Sequence, residues 1–321
     1  MYMELIELQR RFVNQRFGMF IHFNSATFQF HQGDIVDWEF DFENHGAPRR
    51  YPFDPQDWNP DQLDCEQWAR VAKSAGMTFA ALTAKHHEGF DLWPSEHTGH
   101  CVKNGTDKRD VVGEYLKAFR AQGIEAGLYF SMLDLAHDIR RSGCTDQQKQ
   151  LIKAQLTELL TRYGKIPFLI IDGWNASWGG PLYEQVPFEE IDALVKGLQP
   201  DCLLMNISCE PNLNHTDVVF FECAAGQTME QGFNGPGIGC NYLTTQWFYR
   251  DTDRDMVLRS AKWALDTVRE MNEKNAAFLL NVSPNTHGRL DENVIQRLKE
   301  IGAQYRPLPP IERLPEDWLK R

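Results

Sequence analysis

Residues 110–131, DVVGEYLKAFRAQGIEAGLYFS, hold the repeating unit of the fold. Asp110 suits an N-cap, because its carboxylate can accept hydrogen bonds from the first backbone amides of a helix. The helical pattern runs from Asp110 to Gln122 and stops before Gly123, a residue that readily takes the left-handed backbone ending a helix. The run EAGLYFS (125–131) follows almost at once and reads as a strand. A helix leading straight into a mostly apolar strand is half of a parallel crossover.

The same alternation extends in both directions. Further short apolar runs are FGMFIHF (17–23), FAALTAKH (79–86), FLIIDG (168–173), CLLMNIS (202–208), VVFFEC (218–223), NYLTTQWFY (241–249) and AAFLLNVS (276–283). Most are apolar on both faces, as strands covered by helices must be. Helical patterns are read at 61–75, 146–163, 188–198, 253–272 and 291–305. Eight strands alternating with helices predict an α/β fold, an irregular (β/α)8 TIM-type barrel in a single domain over residues 1–305, with a tail at 306–321. No G-x-G-x-x-G follows an early strand, which weakens the dinucleotide-binding alternative. The fifth and sixth runs are too close for a full crossover helix, so the irregularity is expected there. Residues 24–60, rich in aromatics, Gly and Pro, are expected to wall the barrel mouth. In the tail, Trp318 and Leu319 are candidates to dock back on the barrel.

The chain has 321 residues, 42% hydrophobic and 24% charged, which describes a globular protein able to bury a large core. A net charge of -12 with no basic run argues against a nucleic-acid partner. The N-terminus has no apolar signal-peptide core, and no apolar run is long enough to span a membrane. Seven cysteines without a C-x-x-C pair fit free thiols in a reducing cytoplasm. The expectation is a cytoplasmic protein with no membrane partner; homo-oligomers are left open.

The carboxyl ends of barrel strands form the active face. Here the apolar runs end on His22, His86 with His87, Tyr129 with Ser131, Asp172, Asn206, Glu222, Trp247 and Asn281. Asp172, directly after FLII, is either a carboxylate at the mouth or a cap for the following turn. Glu222 follows four apolar residues, so full solvation is not its expected state. Two carboxylates on nearby strand ends can serve as nucleophile and proton donor in glycoside hydrolysis. His22, His86 and Asp172 could equally be metal ligands, although no H-E-x-x-H supports that. Neutral histidines could instead exchange hydrogen bonds with sugar hydroxyls. Aromatics make up 12% of the chain, and most must be core. Trp38, Trp93, Trp174, Trp178 and Trp247 fall in or near the mouth loops, where a flat ring can stack on a sugar.

These residues suggest a family. RFGMFIHF (16–23), FAALTAKHHEGFDLWPS (79–95), the unit 108–131, LIIDGW (169–174) and AFLLNVSPNTHGRLDE (277–292) resemble stretches of the family 29 α-L-fucosidases. The resemblance covers nearly the whole chain. It implies a retaining, exo-acting α-L-fucosidase without a cofactor or metal, acting on a fucosylated oligosaccharide or glycoconjugate glycan. It also implies that Asp172 is the nucleophile, that His22, His86 and His87 bind fucose hydroxyls, and that Phe20 lies by the methyl pocket. Trp38 is similar to the tryptophan of a family Glu-Trp pair, with Asp37 in place of the Glu. FFEC (220–223) is similar to a family Trp-Glu-x-Cys pattern, which makes Glu222 the acid/base candidate and Glu230 the reserve. Tyr129, Trp174 and Trp247 complete the expected sugar contacts. Ile170 departs from the family, many of whose members carry Trp two residues before the nucleophile. Family members commonly continue into a β-sandwich, and the expectation here is the catalytic barrel without it. The rival readings are a related glycosidase with an α-galactose-like preference, a metal-dependent hydrolase or isomerase, and a sugar-binding barrel without catalysis.

Overall fold

The computed structural model describes residues 3–31, 53–207 and 210–321. Its strands are β1 (Phe17–Ile21), β2 (Phe79–Lys85), β3 (Glu125–Ser131), β4 (Phe168–Asp172), β5 (Leu203–Asn206), β6 (Val219–Glu222), β7 (Gly237–Tyr242) and β8 (Ala276–Asn281). They form one parallel sheet in the order β5-β4-β3-β2-β1-β8-β7-β6. The first and last strands pair with each other, so the sheet curls into a nearly closed (β/α)8 barrel. The helices are α1 (Leu5–Val13), α2 (Ser25–His31), α3 (Cys65–Ser74), α4 (Val111–Ala121), α5 (Asp146–Arg162), α6 (Phe188–Leu198), α7 (Ala261–Glu273) and α8 (Glu292–Gln304). Asp110 caps α4 by accepting from the Gly113 amide, as its position in the sequence suggests. Among the described residues, no helix is long and apolar enough to cross a membrane.

The barrel interior is packed by size alternation. A Cβ on Gly18 would lie 2.7 Å from the Phe79 ring, and one on Gly127 would lie 2.3 Å from the Phe168 ring. The two glycines thus make room for two inward phenylalanines on neighbouring strands. Beneath these rings sits α1, an element absent from the sequence reading. Its Phe12 meets Phe79 and Phe168 edge-on, each at 5.3 Å, and plugs the amino-terminal end of the barrel.

The one seam without a strand ladder lies between β5 and β6, where the short connection was expected to break the pattern. The described residues between them hold no helix. Asp217, fully buried, ties the seam instead. Its backbone amide donates to the Leu204 carbonyl at 2.7 Å, and its carboxylate accepts from the Leu204 amide at 2.7 Å and from Lys196 Nζ at 2.6 Å. The tail after α8 runs across the plugged end of the barrel. Arg16 donates to the Pro309 carbonyl at 2.7 Å, the Trp318 indole is buried and donates to Gln9 Oε1 at 3.3 Å, and Arg321 reaches Asp217 at 3.0 Å.

Three element boundaries differ from expectation, the first being α3, which begins at Cys65 behind the Asp64 cap and not at 61. The seventh strand is GIGCNY (237–242), not 241–249, and Trp247 lies in the loop after it. The pattern at 253–272 divides into a short 3-10 turn, Asp251–Asp255, and α7, capped by Ser260.

Candidate active site

The carboxyl ends of the strands surround a cavity of about 400 Å³. Asp172, the last residue of β4, is 9% exposed and lines it. Its Oδ2 accepts from the Tyr129 hydroxyl at 2.7 Å, and its Oδ1 accepts from the Gly173 amide at 2.7 Å. Burial pushes the Asp172 carboxyl up to about 6, although both of these hydrogen bonds favour the charged form. Burial and the neighbouring Asp172 charge hold the Tyr129 hydroxyl well above its usual range, so it remains a donor.

Three histidines share the cavity with this carboxylate. His22 Nδ1 lies 2.7 Å from Asn281 Oδ1, His86 Nδ1 lies 3.1 Å from Glu88 Oε2, and His87 Nδ1 lies 2.7 Å from Ser131 Oγ. The partners assign the tautomers. Asn281 spends its amide hydrogens on the Trp247 carbonyl and Ser283, which leaves Oδ1 as an acceptor. A carboxylate at Glu88 accepts. Ser131 donates its hydroxyl hydrogen to the Leu133 carbonyl at 2.7 Å, so toward His87 its oxygen accepts. Each imidazole therefore carries its hydrogen on Nδ1 and a lone pair on Nε2. Burial holds all three neutral: it pushes His86 down to about 3 and keeps His22 and His87 well below the usual histidine range. His87 Nε2 stands 3.8 Å from Asp172 Oδ2. Neutral Nε2 atoms in a cavity accept hydrogen bonds from donors such as hydroxyls.

The histidines are held from behind by a buried ionic cluster. Lys85 donates to Asp134 at 2.9 Å and to Gln155 at 3.3 Å, and Gln155 donates in turn to both oxygens of Asp91. Burial opposes the Asp134 charge, but Lys85 and His137 outweigh it and hold that carboxyl low. Burial pushes Asp91 well up against the pull of Lys85. The Leu135 amide donates to the His87 carbonyl at 2.8 Å, which fastens the strand end to this cluster.

Of the remaining expected residues, Phe20, Glu222 and Trp247 also line the cavity. Glu222 ends β6, is half-buried, and has its amide bonded to Gln227 at 2.8 Å. The Trp247 ring stacks on His22 at 4.8 Å and 30°. Asp37 and Trp38 lie outside the described residues. Trp174 is a correction: it does not line the cavity but sits fully buried in the outer core, donating to the Val186 carbonyl and stacked on Phe188. Trp93 is likewise core, bonded to Glu158. The positive φ of Gly173 turns the chain immediately after Asp172, so the next side chain no longer faces the mouth. Four residues on, Trp178 returns to the cavity and packs against His87 at 5.1 Å. Glu230 is exposed and away from the cavity lining. Tyr242, the last residue of β7, also lines the cavity, a place not legible in the sequence because the strand begins at Gly237 and not at 241. Among the described residues, no group of three or more His, Cys, Asp or Glu side chains is arranged to hold a metal ion.

The arrangement offers one buried carboxylate, one half-buried carboxylate, three neutral acceptors and aromatic walls. Comparison with known proteins gives this geometry a context. The family model described as alpha-L-fucosidase matches residues 3–306. A tissue alpha-L-fucosidase of Mus musculus is 35% identical, over 91% of this chain and 68% of its own length. Alpha-L-fucosidase 1 of Arabidopsis thaliana is 29% identical over 88% of this chain, which spans 56% of that protein. Alpha-L-fucosidase isoenzyme 1 from Paenibacillus thiaminolyticus has a solved structure that superposes with a TM-score of 0.72 at 25% identity, over 94% of this chain and 76% of its own. The chain thus spans little more than half the length of the plant relatives it matches.

Proposed function

The chain belongs to the α-L-fucosidase family, and from that premise we propose that it is a retaining enzyme releasing terminal α-L-fucose from glycans. The observation that carries this reading is the meeting, in one cavity, of Asp172, the three neutral histidines and Glu222. At about 400 Å³ the cavity is near the small end of ligand pockets, which favours one terminal sugar over an extended chain.

In this reading Asp172 attacks the anomeric carbon as its bond to the leaving oxygen breaks. Glu222 gives that oxygen its proton. The product is a fucosyl ester of Asp172. Glu222, now a carboxylate, takes a proton from water, the water oxygen attacks the anomeric carbon, and the Asp172 carboxylate departs. Two inversions leave the configuration unchanged. The sugar's hydroxyls donate to Nε2 of His22, His86 and His87. Tyr129 and the Gly173 amide hold the nucleophile charged against its burial and return it to the same place each cycle.

The test follows hydrolysis of an aryl α-L-fucoside by proton NMR. α-L-Fucose is expected as the first anomer, and Asp172→Ala should abolish its release. First release of the β anomer, or full activity in that variant, would remove the retaining assignment. Failure to cleave any α-L-fucoside while α-galactosides are cleaved would move the substrate to the related sugar.

A further inference from the structure

We propose that Asn281 is a positioning residue whose single side-chain amide sets both the tautomer of His22 and the placement of the Trp247 ring stacked on that histidine. Asn281 ends β8 between two strands that serve the site. It is in register with Phe20 on β1, two residues before His22, and with Tyr242 on β7, five residues before Trp247. Its side chain is buried, at 1% exposure. Oδ1 accepts from His22 Nδ1 at 2.7 Å, and Nδ2 donates to the Trp247 carbonyl at 2.7 Å.

Both halves of the amide are therefore used, in opposite senses, by two cavity residues. The Trp247 carbonyl also accepts from the Ser283 hydroxyl, so two donors from one strand end anchor the loop. Within that loop the Thr244 hydroxyl donates to the Gln246 carbonyl at 3.0 Å, which fixes the turn leading into Trp247. With its backbone held, the ring lies 4.8 Å from His22 and 6.2 Å from Phe20. Few side chains can replace this one. Aspartate keeps the acceptor but has no donor, leucine keeps only the volume, and glutamine is a methylene too long for a close-packed site. One amide thus makes His22 a hydrogen-bond acceptor and places the ring beside it.

The first measurement is of the protein itself and needs no substrate. Nitrogen-15 spectra of the histidine-labelled protein at mildly alkaline pH report which ring nitrogen of His22 carries the hydrogen. The wild-type protein and N281D, which keeps the acceptor, should show it on Nδ1. N281L should show a mixture of tautomers. Hydrogen on Nε2 in the wild type, or an unchanged tautomer in N281L, overturns the first half.

The second measurement rests on the fucosidase reading and uses a double-mutant cycle with W247A, scored by kcat/KM on an aryl α-L-fucoside. N281D alone should lose roughly tenfold to a hundredfold, the scale of one misplaced buried hydrogen-bonding group. In the W247A background it should lose much less, because the ring it positions is gone. Additive losses overturn the second half. Should N281L fail to fold, the wild-type tautomer and the N281D cycle still decide. A wild-type protein with the expected tautomer but no hydrolysis of any α-L-fucoside fails the functional reading and leaves the tautomer assignment standing.

Discussion

Asp172, the proposed nucleophile, lies at the end of β4 in a place that disfavours its charge. Burial raises its carboxyl to about 6, from an ordinary value of 3.8. A folded-state value above the unfolded one means that the native protein holds the proton more tightly. The associated stability is fully present below about pH 4 and is lost as pH rises through about 6. Asp172→Asn removes the titration. Its amide can keep the Gly173 contact through Oδ1 and donate through Nδ2 to the Tyr129 oxygen. Thermal melts at pH 8 should find this variant inactive yet more stable than wild type, by roughly 1–3 kcal/mol. The advantage should shrink toward pH 4. For the wild type, the acidic limb of kcat/KM should fall near pH 6, where the proposed nucleophile loses its charge. Glu222→Ala tests the other carboxylate: cleavage of natural glycans should fall far more than cleavage of activated aryl fucosides, whose leaving groups need no proton. Equal losses would take the acid role from Glu222. The strand-end rule made most of these residues legible, because polar groups closing apolar runs have few other places to go. Trp174 was misplaced while Trp178 was rightly put near the mouth, since the left-handed turn at Gly173 decides which indole returns to the cavity, and nothing in residue type reveals that path.

At the scale of elements, long apolar runs were legible and glycine-rich strands were not. GIGCNY (237–242) has little strand propensity, yet it pairs along its length with β8. Gly237 is required by contact, since a Cβ there would meet the Phe233 ring and Ala276 within 3 Å; at Gly239 a Cβ would instead displace the flexible end of Met271, 2.0 Å away. Tertiary packing overrides local preference there, and the correct boundary depends on neighbours far along the chain. The same logic inside the barrel gives a test. Gly127→Ala would drive a methyl into the Phe168 ring, a rigid group already locked between Phe12 and Phe79. Denaturant melts should register a loss of roughly 1–3 kcal/mol. Adding Phe168→Leu should recover part of it, since the smaller side chain vacates the space. If the double variant is less stable than the two single losses combined, ring crowding is not the cause.

At the scale of the whole molecule, the barrel closes with one strand pairing missing, and the chain's two ends compensate. The short link between β5 and β6 was legible as a defect, but its remedy was not, because it draws on residues 104 and 309 positions apart. α1 plugs the amino-terminal end, the tail crosses over it, and Arg321 reaches the same buried carboxylate of Asp217 that joins Leu204 to Lys196. Trp318 is the apolar part of this strap, 3% exposed and packed with the inward residues of the barrel. Arg321 is more exposed, and its ion pair contributes less. Trp318→Ala should therefore cost roughly 3–5 kcal/mol, the range for removing a buried large aromatic, whereas Arg321→Ala should cost about 1 kcal/mol or less. Hydrogen exchange separates a local from a global effect. If the strap secures the seam, Trp318→Ala should speed exchange first at the amides of Leu204 and Asp217 and along β6, while β1, β2 and β8 remain protected. Uniform acceleration around the barrel would instead make Trp318 an ordinary core residue, and the seam would then be held by Asp217 and Lys196 alone.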